Sequence, residues 1–394
     1  MGFLCDLRMI GIFNDNFPPI LDGVALTAKN YADWLSWKGQ DVCVVTPWAP
    51  QFPKELHYPL YSYMSVPIPG RPPYRYGLPH LDRHFQHTYR QLHFDLIHAH
   101  CPFTTGHLAL HTGKKQHIPV VATFHSKYRQ DFEHAISNKT LIDYVIKRIV
   151  EFYEAADEVW IPQAAVEPTL REYGYKGRVE VVDNGNDFVT PEPIIKDIRK
   201  QMRQELGLNR DQTMLLYVGQ ITWEKNIQFT LNALNSIKYL PFHLYIIGTG
   251  YAESHVRRII KETGLSSKVS LLGLIKDRAK LRSYYAASDI FLFPSEYDTF
   301  GLVAREAAAL HTPSIMLKGS MASADIRDRA NGFITNNNTS DYASLIRYLI
   351  EHPQLVRQCG EEASHTLVRS WESVVEEAIE RYHEIIKKYK VNNK

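Results

Sequence analysis

Short apolar runs recur along the chain, each followed by a polar loop and then by residues at helical spacing. The run at residues 9–13 precedes a helical pattern over 24–39, and residues 41–46 resume as a strand. Further short runs at 96–98, 120–124, 158–161 and 179–182 are separated by helical or loop segments. This rhythm predicts a mainly parallel sheet covered by helices. Residues 59–89 break it: prolines at 67, 69, 72, 73 and 79 suppress regular structure, so the stretch reads as a loop followed by a helix.

After the run at 179–182, Asn184-Gly185 is a turn signal, and Pro191 and Pro193 open a charged helical stretch ending near Gly207. The pattern then restarts. Strands are predicted at 214–218, 243–247, 269–272, 290–294 and 315–317, with helices at 226–237, 253–263 and 278–287. From Ser370, a plausible N-cap, a long helical pattern runs through Val374, Val375, Ile379, Tyr382 and Ile385. The expected domains are therefore 1–190, 191–370 and a C-terminal helix over 371–394 that packs across a domain. Two doubly wound α/β halves result, and in such sheets ligands collect beyond the carboxyl ends of the strands.

Composition agrees with this and removes several function classes. A chain of 394 residues exceeds what one hydrophobic core usually organises, and 23 tyrosines with 17 phenylalanines are too many for extended disorder. Lys and Arg number 45 against 43 Asp and Glu, a formal +2 that provides no global field for nucleic acid. Cys5, Cys43, Cys101 and Cys359 form no CxxC pair, which argues against a zinc knuckle or a dense disulfide framework and favours a reducing cytoplasm. No segment approaches 18 uninterrupted apolar positions, so neither a signal peptide nor a membrane span is expected. Peripheral contact with a membrane needs only a surface patch.

Candidate chemistry concentrates where predicted strands empty into loops. Residues 293–309 run from a strand through acidic Glu296 and Asp298 to Phe300-Gly301-Leu302 and a helix carrying Glu306. Gly301 lets the backbone approach closely, the helix amides can cradle a phosphate, and Glu306, one turn in, can accept paired hydroxyls. The bland alternative is a tight turn with solvated acids. Residues 219–226 repeat the arrangement, with Lys225 able to neutralise a diphosphate leaving group or merely to make a loop salt bridge. Gly23 begins a predicted helix and suits phosphate contact or a simple turn. Gly248-Thr249-Gly250 lacks the full dinucleotide spacing and reads equally as a strand-exit turn. His125 follows a strand and can donate to a hydroxyl, although with 18 histidines in the chain, His98 and His100 among them, one alone carries little weight. No His, Asp or Glu set has metal spacing, and residues 183–187 lack a calcium loop's ligand series, so no metal is expected.

These strand-end segments, in this order, resemble the retaining family 4 glycosyltransferases over most of residues 13–371, and in flavour the diacylglycerol glucosyltransferases and related glycolipid enzymes. The resemblance implies two facing Rossmann-like domains of the glycosyltransferase B type, with the C-terminal helix crossing back to the first. The first would be the acceptor side and the second would hold the nucleotide sugar. It assigns Gly23 and Lys225 to the donor diphosphate, His125 to the neighbourhood of the donor sugar, and Phe300, Gly301 and Leu302 to the phosphate and sugar-binding turn. Asp298 and Glu306 fall at the two ends of the family's acidic motif, Glu306 as ribose ligand. Two positions depart from it. Asp298 stands where glutamate is usual, with Glu296 near enough to compensate, and Gln220 stands where arginine is common, which leaves Lys225 as the evident cation beside the diphosphate.

The implied reaction is α-glucosyl transfer from UDP-glucose, as substrate and without a cofactor, to a lipid hydroxyl such as diacylglycerol. Arg71, Tyr74, Arg75, Tyr76 and Arg83 are candidates for an anionic membrane surface, or simply pack a long loop. That places the protein in the cytoplasm, peripheral to the inner face of the cell membrane. Transfer of another nucleotide sugar to a saccharide or small molecule and a nonenzymatic sugar-nucleotide or membrane-binding module remain open; two carboxylates also suggest a glycosidase, but the anion-binding loops argue against it.

Overall fold

A computed structural model describes residues 9–20, 22–53, 55–69, 72–133 and 136–392. The chain divides into two compact units: Met1–Gly185 with Trp371–Lys394, and Asn186–Ser370. The division precedes residue 190, where the sequence suggested it, because Asn186 already pairs with the end of its own unit. Its amide donates to the Arg369 carbonyl at 2.8 Å, and it bridges Ser370.

In the first unit the strands are β1 (Ile10–Phe13), β2 (Val42–Pro47), β3 (Leu60–Tyr63), β4 (Ser65–Pro67), β5 (Arg75–Gly77), β6 (Leu96–Ala99), β7 (Val120–Thr123), β8 (Glu158–Ile161) and β9 (Glu180–Val181). Seven of them form an all-parallel sheet in the order β3-β2-β1-β6-β7-β8-β9, while β4 and β5 pair antiparallel by themselves. The helices are α1 (Gly23–Trp37), α2 (Arg83–Tyr89), α3 (Thr104–Gln116), α4 (Tyr128–Glu133), α5 (Lys139–Glu154) and α6 (Glu167–Glu172). Strand residues alternate between two apolar layers. Phe13, Cys43, Val45 and Ile97 pack with α3 and α5, whereas Ile10, Ile12, Val44 and Leu96 pack with α1.

Residues 59–89 correct the expected loop. They contain β3, β4 and β5 before α2, and β3 joins the main sheet. The prolines are compatible with this because β3 lies at the sheet edge and β4 and β5 are only three residues long each.

The second unit contains α7 (Glu192–Glu205), β10 (Thr213–Val218), α8 (Ile227–Ser236), β11 (Phe242–Ile247), α9 (Glu253–Glu262), β12 (Val269–Gly273), α10 (Arg278–Ala287), β13 (Ile290–Phe293), α11 (Leu302–Ala309), β14 (Ser314–Leu317), β15 (Phe333–Thr335), α12 (Thr339–Glu351) and α13 (Pro353–Thr366). Its parallel sheet has the order β12-β11-β10-β13-β14-β15. Leu215, Tyr217, Leu244 and Leu292 face α8, α9 and α12; Met214, Leu216, Tyr245 and Phe291 face α7, α10 and α11. In both sheets the chain order reverses once, between β1 and β6 and between β10 and β13. In sheets of this class the loops leaving such a pair of strands diverge, and ligands sit in the crevice between them.

The last helix, α14 (Trp371–Asn392), belongs to the first unit, as the sequence suggested. Trp371, Val374, Val375, Ala378, Tyr382, Ile385 and Ile386 are buried against α1 and the strand residues Val121 and Trp160.

Candidate functional site

In the second unit the two loops at the reversal point bring Lys225 and Asp298 together. Lys225 ends a single 3₁₀ turn, and Asn226, in the left-handed region at φ 59°, redirects the chain into α8. The Lys225 ammonium donates to Asp298 Oδ1 at 2.6 Å and lies 5.2 Å from the centre of the Tyr297 ring. An ammonium carries three donors, so this bond leaves two for an anion. Asp298 Oδ2 is buried without a hydrogen-bond partner, an acceptor left available for a hydroxyl. After Asp298, Gly301 adopts φ 71° and serves as the cap of α11, with no side chain bonded to the helix amides. A β-carbon at Gly301 would press on Ala322, so the turn requires glycine on both counts. Phe300 is buried beneath the Arg305 guanidinium, 4.1 Å from its ring centre, so this turn offers a ligand backbone rather than side chain. Gln220 and Glu296 are exposed at the edges of the same two loops.

Glu306 lies one turn into α11, as predicted, but in a network the sequence did not disclose. Its Oε1 accepts from Arg278 Nη2 at 2.8 Å and its Oε2 from the Tyr285 hydroxyl at 2.9 Å. Arg278 also grips Asp187 through Nε at 3.1 Å and Nη2 at 2.6 Å, and stacks 4.1 Å from the Phe188 ring centre. Burial pushes the Glu306 carboxyl up, and Arg278 pulls it back only in part. Burial likewise opposes the charge on Arg278, but Glu306 and Asp187 together more than offset it and raise its pKa. The guanidinium is thus held charged, while burial biases the Glu306 carboxyl toward its neutral form. Arg278 and Tyr285 were missed. The available signal was Arg278 itself, a cation opening a helix just beyond a strand end.

The first unit holds Gly23 and His125. Gly23 is the first residue of α1, whose cap, Asp22, accepts from the Ala25 amide at 2.7 Å. The Asp22 carboxyl is pushed up by burial despite bonds from Ala25, Val24, Asn16 and Tyr74. His125 is buried just beyond β7, with its Nε2 3.1 Å from His100 Nδ1, and burial lowers its pKa to about 3. It is a neutral ring at any physiological pH.

Of the proposed surface residues, Tyr76 and Arg83 point outward. Arg75 is pinned, donating to Ser65 Oγ at 2.7 Å and to its carbonyl at 3.0 Å while lying over Trp48. Tyr74 turns to Asp22, and Arg71 lies outside the described residues. Gly248 and Gly250 serve packing: a β-carbon on either would run into the carbonyl of Gly219 or Ile221 in the neighbouring loop. Among the described residues, no group of three His, Cys, Asp or Glu is arranged to hold a metal ion, and no helix is long and apolar enough to cross a membrane.

Two parallel-sheet units, each with a single reversal in strand order, give the architecture of the glycosyltransferase B type. Residues 21–188 match the model described as Glycosyltransferase Family 4, and residues 198–366 match Glycosyl transferases group 1. The chain belongs to the family 4 glycosyltransferases. It is similar to the alpha-monoglucosyldiacylglycerol synthase of Acholeplasma laidlawii, 26% identical over 375 residues, covering 90% of this chain and 91% of that one. Among solved structures, sucrose-phosphate synthase of Thermosynechococcus elongatus shares the fold with a TM-score of 0.79 and 20% identity, covering 97% of this chain and 100% of that one. The Anabaena protein HepE, solved with UDP and glucose, gives a TM-score of 0.74 at 19% identity, covering 95% and 99%.

Proposed function

We propose that this enzyme transfers an α-glucosyl group from UDP-glucose to a lipid hydroxyl, diacylglycerol being the acceptor of choice. The observation that carries the donor half is the Lys225–Asp298 pair, whose ammonium has donors to spare and whose Oδ2 is a buried acceptor without a partner. In the reaction the bond from the sugar's anomeric carbon to the β-phosphate oxygen breaks, and both electrons stay on that oxygen. Lys225, the amides around Phe300, Gly301 and Leu302, and the amide of Gly23 stabilise the charge that develops there. Asp298 accepts from a sugar hydroxyl and Glu306 from the ribose. The acceptor oxygen bonds to the anomeric carbon on the face the phosphate leaves, so configuration is retained, and its proton passes to the departing phosphate. His125 positions the sugar, and no protein nucleophile is required.

Similarity to a diacylglycerol glucosyltransferase and the composition of the first unit support the lipid half. Between residues 56 and 130, Asp82 and Asp95 are the only acids, against Arg71, Arg75, Arg83, Arg90, Lys114, Lys115, Lys127 and Arg129. Asp82 is spent capping α2 through the Phe85 amide at 2.9 Å. In the same region Met64, Val66, Tyr76 and Leu81 are exposed, and Val66 and Tyr76 are paired across β4 and β5. Apolar side chains beside the exposed Arg83 and Arg90 suit an anionic lipid surface, and the reaction is assigned to the inner face of the cell membrane.

The test is labelled UDP-glucose with and without diacylglycerol in anionic vesicles, followed by anomeric NMR of the product. An α-glucosyl lipid is expected. Release of free glucose without acceptor would indicate hydrolysis, and tight donor binding without turnover on lipid or saccharide would indicate a binding module. Transfer to a saccharide alone would replace the lipid acceptor.

A further inference from the structure

Three histidine rings line up in the interior of the first unit, where β6 and β7 end. His98 and His100 are fully buried and His125 nearly so, with ring centres 4.1 Å apart for the first pair and 5.4 Å for the second. Both nitrogens of His98 are committed, Nδ1 to the Tyr382 hydroxyl of α14 at 2.6 Å and Nε2 to Thr123 Oγ1 at 2.7 Å. His100 differs: its Nδ1 faces His125 Nε2 at 3.1 Å, while its Nε2 is buried without a hydrogen-bond partner. Burial pushes His98 and His100, like His125, below the ordinary histidine range, so all three are neutral.

A hydrogen bond between two neutral imidazoles requires one N–H and one lone pair at the facing nitrogens. If His125 supplied the proton from Nε2, the proton of His100 would sit on its own Nε2, a buried N–H without an acceptor. The Tyr31 ring, 5.3 Å away and tilted 46°, offers at most a second-order N–H···π contact. If instead His100 donates from Nδ1, the orphaned Nε2 is a bare lone pair. Among backbone groups an orphaned buried N–H is rarer than an under-satisfied acceptor; carried over to the imidazole, the same asymmetry favours the second arrangement.

We propose that His100 is a positioning residue that fixes His125 with its proton on Nδ1 and its Nε2 lone pair occupied. This deepens the transfer reading given above and rests on it for its functional meaning. A ring so fixed is a hydrogen-bond donor and has no lone pair for the acceptor's proton. The proton released when the acceptor attacks therefore goes to the leaving phosphate, not to His125.

Long-range ¹H–¹⁵N NMR of ¹⁵N-histidine-labelled full-length protein reads the tautomer directly, with His125→Gln supplying the assignment. A protonated-type shift at His125 Nδ1 and a bare-type shift at Nε2 are expected, unchanged from pH 6 to 8; the reverse pattern would overturn the proposal. His100→Asn, whose amide can donate to the same nitrogen, should keep the His125 pattern and restore turnover. His100→Leu should lose the single pattern and lower kcat roughly ten- to hundredfold with little change in donor KM, at a melting temperature matched by the Asn variant. Equal kcat in the Leu variant would refute the positioning role. The expected shifts in a protein that transfers no sugar would uphold the tautomer and defeat the transfer reading instead.

Discussion

Replacing Arg278 by Gln removes the cation that favours the ionised form of Glu306, and the consequences expected for stability and donor binding have opposite pH trends. Breaking a fully buried pair costs about 3–5 kcal/mol because a charge is stranded. Here the Glu306 side chain is 11% exposed but Arg278 is 38% exposed, so water screens much of the loss and about 1–2 kcal/mol remains. That lowers the melting temperature by about 2–8 °C in a unit of this size and leaves it folded. The Glu306 carboxyl, already raised by burial, rises further once Arg278 is gone. A carboxyl whose folded pKa exceeds its unfolded value binds its proton more tightly when folded. The stability deficit of the variant therefore shrinks on acidification and grows as pH rises through the gap. On the proposed role of Glu306 as ribose ligand, donor binding should run the other way, since only the ionised carboxylate would accept both hydroxyls. Calorimetric titration with UDP-glucose should show a five- to thirtyfold weaker Kd, the ratio that about 1–2 kcal/mol gives, and a larger deficit at about pH 6 than at pH 8. A variant that melts earlier yet binds the donor like the wild type at both pH values would make the network purely structural and remove Glu306 from the donor site.

Four further outcomes follow from the structure. Lys225→Ala should lower kcat about a hundredfold, the usual cost of removing one donor to a developing oxyanion, and Asp298→Glu should retain turnover because the longer carboxylate still reaches Lys225; steady-state kinetics with excess acceptor check both. Trp371→Ala, removing a ring that is 2% exposed and 5.3 Å from the centre of Tyr31, should cost about 3–5 kcal/mol by chemical denaturation and loosen α14. Gly248→Ala should destabilise the second unit, since Gly248 sits at φ 141° with its β-carbon directed at the Gly219 carbonyl; an unchanged melting temperature would show that the two strand-exit loops separate freely.

Strands that are buried on both faces announce themselves as apolar runs, which is why β6, β8, β10, β11 and β13 could be located from sequence to within a residue or two. The elements that escaped lack that property. β4 and β5 pair outside the main sheet, each only three residues long, and Val66, Pro67 and Tyr76 are exposed. β15 is a three-residue strand at the other sheet's edge, too short to show a period. The site divides in the same way. Gly301 and Glu306 were legible because a turn and the helix after it are local, whereas the Lys225–Asp298 bond joins residues 73 positions apart. Nothing in either loop alone says that its charge is already answered by the other.

That answered charge changes what the departure at Gln220 means. With arginine in that loop, a second cation would stand beside the diphosphate; here the side chain at 220 is neutral and exposed, and the remaining ammonium shares itself with Asp298. On the proposed donor site the two positions would act together: Asp298 holds Lys225 beyond the end of β10, and the uncapped amides of α11 would supply the rest of the positive potential. Restoring arginine at 220 alone should tighten UDP binding without raising kcat, because a charge that meets the ground-state diphosphate and the departing one equally adds binding, not rate. A rise in kcat with unchanged UDP affinity would show instead that Lys225 by itself leaves the transition state under-stabilised.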